Sequence, residues 1–79
     1  MNKQELQKFI GKRTLTLAEA MRRMDENATG ILFLTDAENR LLACITDGDV
    51  RRYLLAGGSI NDKALKAANR HPKFAYSEE

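Results

Sequence analysis

Leu41-Leu42-Ala43-Cys44-Ile45-Thr46-Asp47-Gly48-Asp49-Val50-Arg51-Arg52 is the stretch whose reading decides the fold. Its first five residues form a continuous apolar run, the pattern of a buried strand. From Asp47 the pattern changes: Val50, Tyr53 and Leu54 fall on one helical stripe, and Arg51 and Arg52 point elsewhere. A strand therefore runs into a helix, expected over 47–56, with a Thr and two carboxylates at the joint. Such a joint gathers free backbone N–H groups and the positive end of the helix dipole. It suits an anion or a sugar hydroxyl, and it also suits a plain helix cap.

Upstream, Ile31-Leu32-Phe33-Leu34 is a second apolar run, bounded by Gly30 and Asp36. It reads as a strand covered on both faces. The polar segment Asp36-Ala37-Glu38-Asn39-Arg40 joins the two runs as a β-hairpin. Before the hairpin, Thr16-Leu17-Ala18-Glu19 is a capping box. Leu17, Ala20, Met21 and Met24 share one face behind it, which predicts a helix over 17–27 that Asn27 to Gly30 stops. The two methionines read as core filler.

The flanks are less regular. Leu6, Phe9 and Ile10 stand at i, i+3 and i+4, so a short helix is expected over 2–10, ended by Gly11 with positive φ. Lys12-Arg13-Thr14-Leu15 reads as an extended link or edge strand. After Gly57-Gly58, Ser59-Ile60-Asn61-Asp62 has capping-box spacing and predicts a short helix over 63–68. Pro72 breaks that helix, Lys73 to Tyr76 look extended, and His71 reads as a solvent or packing residue. The sum is an α+β fold with a small three-stranded sheet.

Composition narrows the function. The chain has 79 residues, 13 Lys and Arg against 11 Asp and Glu, and a formal charge of +2. These charges are interspersed, and the few aromatics do not alternate with basic residues, so no nucleic acid partner is expected. No run approaches 18 apolar residues and the N-terminus is polar, so no membrane is expected and the setting is cytoplasmic. The single cysteine, Cys44, reads as a small buried hydrophobe. Ser59, Ser77 and Cys44 have no paired His, so no catalytic residue is assigned. Asp47 and Asp49 offer fewer oxygens than a hard cation needs, so no metal is assigned. A core this small is marginal, and with no disulfide or metal to help, a partner chain is the remaining stabiliser.

With those residues set out, the chain resembles a CBS domain, a β-α-β-β-α unit that usually occurs in tandem pairs. The resemblance rests on Leu17 to Met24, Gly30 to Asp36 and, most specifically, Leu41 to Arg52. It divides the chain into an N-terminal helix and link (1–13), a CBS unit (14–58), and a short helix with the start of an incomplete second repeat (59–79). The wording around Thr46-Asp47-Gly48-Asp49 looks most like CBS units attached to sugar-nucleotide transferases or sugar-phosphate isomerases.

The resemblance implies a non-catalytic regulatory or assembly module that pairs with a second copy as a homodimer, with its helices 17–27 and 47–56 across a two-fold axis. It implies an adenosine nucleotide, AMP, ADP or ATP, in the cleft between copies. Thr46 and Asp49 would contact phosphate and ribose, and Gly48 would let the ligand approach the backbone. Ile31 and Leu32 would wall the base, and Thr14 would add a contact. Two residues depart from the family pattern: Ala43 stands where Gly is frequent, and Leu32 where Pro is frequent. The alternative is a ligand-free scaffold in which Thr46 and Asp49 are caps only, as the same spacing at Thr16/Glu19 and Ser59/Asp62 suggests.

Overall fold

The structure is a computed structural model and describes residues 7–70. Its order is β1 (Ile10–Lys12), α1 (Leu17–Asn27), β2 (Ile31–Thr35), β3 (Leu41–Thr46), α2 (Asp47–Leu55) and α3 (Ala64–Ala67). The sheet order is β1-β2-β3, with β1 parallel and β3 antiparallel to β2. This is the expected α+β, β-α-β-β-α arrangement, with a short helix added.

The hairpin forms where the polar segment predicts it. The Asp36 carboxylate accepts the N–H groups of Glu38 and Arg40 at 2.9 Å each, which closes the turn. The register skips Leu42, because Leu34 faces Ala43 while Thr35 faces Leu41. β2 is not covered on both faces as expected. Leu32 and Leu34 are fully buried, whereas Ile31 and Phe33 on the other face are half-buried. Period-2 alternation sends only every second side chain to the helices.

The core lies between that sheet face and the helices. Leu17, Leu32, Leu34 and Ile45 are its largest fully buried side chains, with Ala20, Met24, Val50 and Ala64 around them. Each large aliphatic side chain contributes about 1.5–3 kcal/mol by leaving water.

Two expectations are corrected. The helix predicted over 2–10 does not run through Ile10: residues 10–12 are strand β1, hydrogen-bonded to β2. Gly11 does not end a helix either, and it is not among the glycines with positive φ. It is a glycine because a Cβ there would stand 2.5 Å from Leu15 Cδ1 and 3.0 Å from Leu32 Cδ2. The second correction concerns Ser59 and Asp62. They form a turn, and the helix starts later, at Ala64, with no side-chain cap. Half of the box is made, since the Asp62 carboxylate accepts the Ser59 N–H at 3.1 Å, but Ser59 Oγ accepts the Asn61 N–H at 3.0 Å and not that of Asp62. Asp62 also has tertiary partners: its carboxylate accepts the Tyr53 hydroxyl at 2.6 Å, and its carbonyl accepts the Leu17 N–H at 2.7 Å.

That loop completes α1. The Ala18 N–H donates to the Ile60 carbonyl at 2.9 Å, and the Glu19 N–H to Thr16 Oγ1 at 3.2 Å. With Leu17, the three leading N–H groups all have protein acceptors, as a buried helix end requires. Beyond α3, Asn69 bridges Cys44 through two backbone hydrogen bonds of 2.8 and 3.1 Å, on the free edge of β3. The expectations for His71 and for an extended 73–76 fall outside the described residues.

Candidate functional site

The strand-helix joint is built by the β2–β3 register. Ile31 faces Thr46 across the ladder, so the opening of β2 lies beside the start of α2. Gly30, at φ 72°, turns the chain into β2, and its carbonyl accepts the Asp47 N–H at 3.1 Å. Thr46 is the N-cap of α2, in extended backbone, and its hydroxyl oxygen accepts the Asp49 N–H at 3.2 Å. Those two bonds use the N–H groups of Asp47 and Asp49 and leave that of Gly48 between them.

Asp49 returns the cap. Its Oδ2 accepts the Thr46 N–H and hydroxyl, each at 3.0 Å, and its Oδ1 accepts Arg52 Nη2 at 2.6 Å. An ionised carboxylate has about four acceptor positions, so roughly one remains. The Asp49 side chain is 14% exposed, whereas Arg52 is 73% exposed. The Arg52 guanidinium also lies over Gly48: a Cβ on that glycine would sit 3.4 Å from Arg52 Nη1. The joint thus carries a cation beside its two carboxylates. The sequence set Arg51 and Arg52 off the apolar stripe without placing either at the joint. Helical i,i+3 spacing selects Arg52.

The expected site residues separate into two groups. Thr46, Gly48, Asp49 and half-buried Ile31 come together at the joint. Leu32 is fully buried in the core and presents no surface to a ligand in the single chain. Thr14 lies beyond β1, whose partner Lys12 faces Thr35 at the far end of β2 from Ile31. That is about 13 Å along the strand. The Thr14 carbonyl is occupied there by Lys63 Nζ at 3.1 Å.

Beside the joint, a groove of about 820 Å³ runs between α1 and α2. Met21, Met24, Val50 and Leu54 supply its apolar lining, and Asp25, Asp47 and Arg51 its charges. Cys44, buried in β3, has its thiol pKa pushed up by burial and secondarily by the Asp49 charge, which makes it a poor nucleophile at neutral pH. Among the described residues, no three His, Cys, Asp or Glu side chains gather as a metal site, and no helix is long and apolar enough to cross a membrane.

No family model and no curated protein matches the chain. Solved structures do. A CBS domain protein from Pyrobaculum aerophilum, solved in complex with AMP, superposes with a TM-score of 0.71 at 24% identity over 77% of this chain and 48% of its own. A CBS-domain containing protein from Agrobacterium tumefaciens gives 0.74 at 19% identity over 77% and 47%. Hypoxic Response Protein I, solved with two coordinated zinc ions, gives 0.67 at 32% identity over 73% and 50%. The chain spans about half the length of these structures. The strand order, the strand-helix joint and these superpositions agree that the described residues fold as one CBS unit.

Proposed function

We propose that the chain is a non-catalytic regulatory module that pairs with a second CBS unit, in another copy, and binds an adenosine nucleotide between the two. One observation carries the ligand reading: Arg52 stands over Gly48 and against Asp49, so the joint has its own cation to offset two carboxylates. In this reading Arg52 turns to the phosphate, Gly48 offers its N–H, and Asp49 holds a ribose hydroxyl with its remaining acceptor position. Ile31 lies against the base. The AMP complex of the Pyrobaculum relative supports the ligand class. The pairing reading rests on the open α1–α2 groove, where Met21 is 37% exposed. The resemblance around Thr46 to Asp49 further suggests service to a sugar-nucleotide transferase or sugar-phosphate isomerase in the cytoplasm.

The second reading, a ligand-free scaffold, is favoured by the capping box itself, since both Asp49 oxygens already have protein donors. Thermal shift with AMP, ADP and ATP separates the two. A rise in melting temperature with AMP that Asp49→Ala abolishes supports nucleotide binding at the joint, and no rise with any of the three leaves the scaffold. Light scattering tests the pairing: Met21→Glu, in the groove, converts a dimer to a folded monomer. A wild-type monomer at micromolar concentration sinks both readings.

A further inference from the structure

A second charged feature lies away from the joint. A groove of about 320 Å³ between the β1–α1 link and α3 is lined by Arg13, Thr14, Lys63, Leu65, Lys66 and Arg70. The Arg13 N–H bonds the Thr35 carbonyl, which fixes the groove to the end of the sheet opposite Thr46. Four cations converge here. The ion pairs among the described residues are Arg40 with Asp36 and Glu38, and Arg52 with Asp49, so none of the four takes part in one. Two acids stand close enough to feel Lys63 and Lys66, namely Glu19 and Asp62. Both are already committed, Glu19 to Thr16 and Asp62 to Tyr53 and Ser59. The core holds α3 by Ala64, Leu65, Ala67 and Ala68. That packing leaves Lys63, Lys66 and Arg70 on the solvent side.

We propose that this groove is an anion site that takes a short chain of phosphates. The lysines act as point charges and the arginines as forks for paired phosphate oxygens. Lys63 is preset by its bond to the Thr14 carbonyl and keeps two further donors. Its volume is at the small-ligand end of the usual range of about 300–1,000 Å³. A single nucleic-acid strand needs a longer track, about 4–16 nucleotides on known single-domain binders. The site is independent of the joint and does not rest on nucleotide binding there.

The test is calorimetric titration of the whole chain with inorganic tripolyphosphate at low salt. One-to-one binding is expected. It should weaken roughly tenfold or more in the double variant Lys66→Gln/Arg70→Gln, stay near wild type in Lys66→Arg, and persist in Asp49→Ala. Melting curves check that the double variant folds, as expected for two side chains with no hydrogen bond to lose. ADP titrated in the Asp49→Ala background tells a nucleotide tail from a free polyphosphate; binding there that the groove substitutions abolish supports the proposal for the tail. Absence of binding, equal binding in the double variant, or loss in Asp49→Ala overturns it. So does a short single-stranded RNA that binds more tightly than tripolyphosphate and is lost with the same substitutions.

Discussion

The Tyr53 hydroxyl donates to Asp62 Oδ2 at 2.6 Å. Because the Asp62 carbonyl also receives the Leu17 N–H, one aspartate ties α2 to the start of α1. Gly58 permits this arrangement, since a Cβ there would collide with the Tyr53 ring. Tyr53→Phe should lower the melting temperature, and Asp62→Ala should lower it further, because Ser59 then loses its acceptor as well. Thermal melts at neutral pH read the ranking. A Tyr53→Phe protein that melts with the wild type shows the tie contributes nothing.

Stability should fall in acid from three sites at once. Glu19 is held below its ordinary 4.5, chiefly by the Thr16 N–H and then by the Thr16 hydroxyl. Asp36 is held below 3.8, first by the Arg40 N–H, and Asp62 below 3.8, first by the Tyr53 hydroxyl. A carboxylate with a depressed folded pKa binds more protons when unfolded. Its contribution is full above the unfolded value and disappears as pH drops through the folded one. Urea midpoints should therefore be flat near neutrality and decline from about pH 4.5 downward. Thr16→Val, which removes one donor to Glu19, should make the decline shallower.

At the joint, capping and the surface ion pair should separate. Thr46→Ala removes the N-cap hydroxyl and should cost about 1 kcal/mol. Arg52→Ala removes a pair whose cation is 73% exposed, and it should cost at most a few tenths of that, as roughly expected of a solvated pair. If the nucleotide reading holds, the AMP-induced rise should vanish in Asp49→Ala and shrink in Arg52→Ala. Equal loss of unliganded stability in both variants would make the ion pair structural.

Gly30 and Gly57 both have positive φ, at 72° and 102°, but only Gly30 is crowded. A Cβ on Gly30 would run into the Asp47 carboxylate, whereas one on Gly57 would meet nothing within 4 Å. Gly57→Ala should cost about 1–2 kcal/mol from backbone strain alone. Gly30→Ala should cost more, and Asp47→Ala should rescue part of the difference. Denaturant titration of the two single variants and the Gly30/Asp47 double variant checks this.

These contrasts explain what the sequence revealed and what it hid. The long helices and the hairpin were legible because each announces itself locally, through a stripe, a cap and a stop. Thr16/Glu19 and Thr46/Asp49 do form reciprocal caps. Ser59/Asp62 has the same spacing and makes only half of the box: the Asp62 carboxylate accepts the Ser59 N–H, but Ser59 Oγ takes the Asn61 N–H, and the Asp62 N–H turns to the Ser59 carbonyl instead. β1 was misread because Leu6, Phe9 and Ile10 mimic a helical stripe, while the partner that makes Ile10–Lys12 a strand lies in β2. Arg13 and Lys66 meet at one groove from more than 50 positions apart, a proximity no local pattern carries.

The loop 60–62 works as a stopper for α1, with the Ile60 and Asp62 carbonyls seated on its first two N–H groups and Ala64 filling the space behind. Trimming the chain at Gly58 would preserve all three strands and both long helices on paper. It would also uncork the first helix and hollow out its base. A fragment designed around the β-α-β-β-α pattern should therefore extend through Asn69, where the last backbone bonds to Cys44 are made.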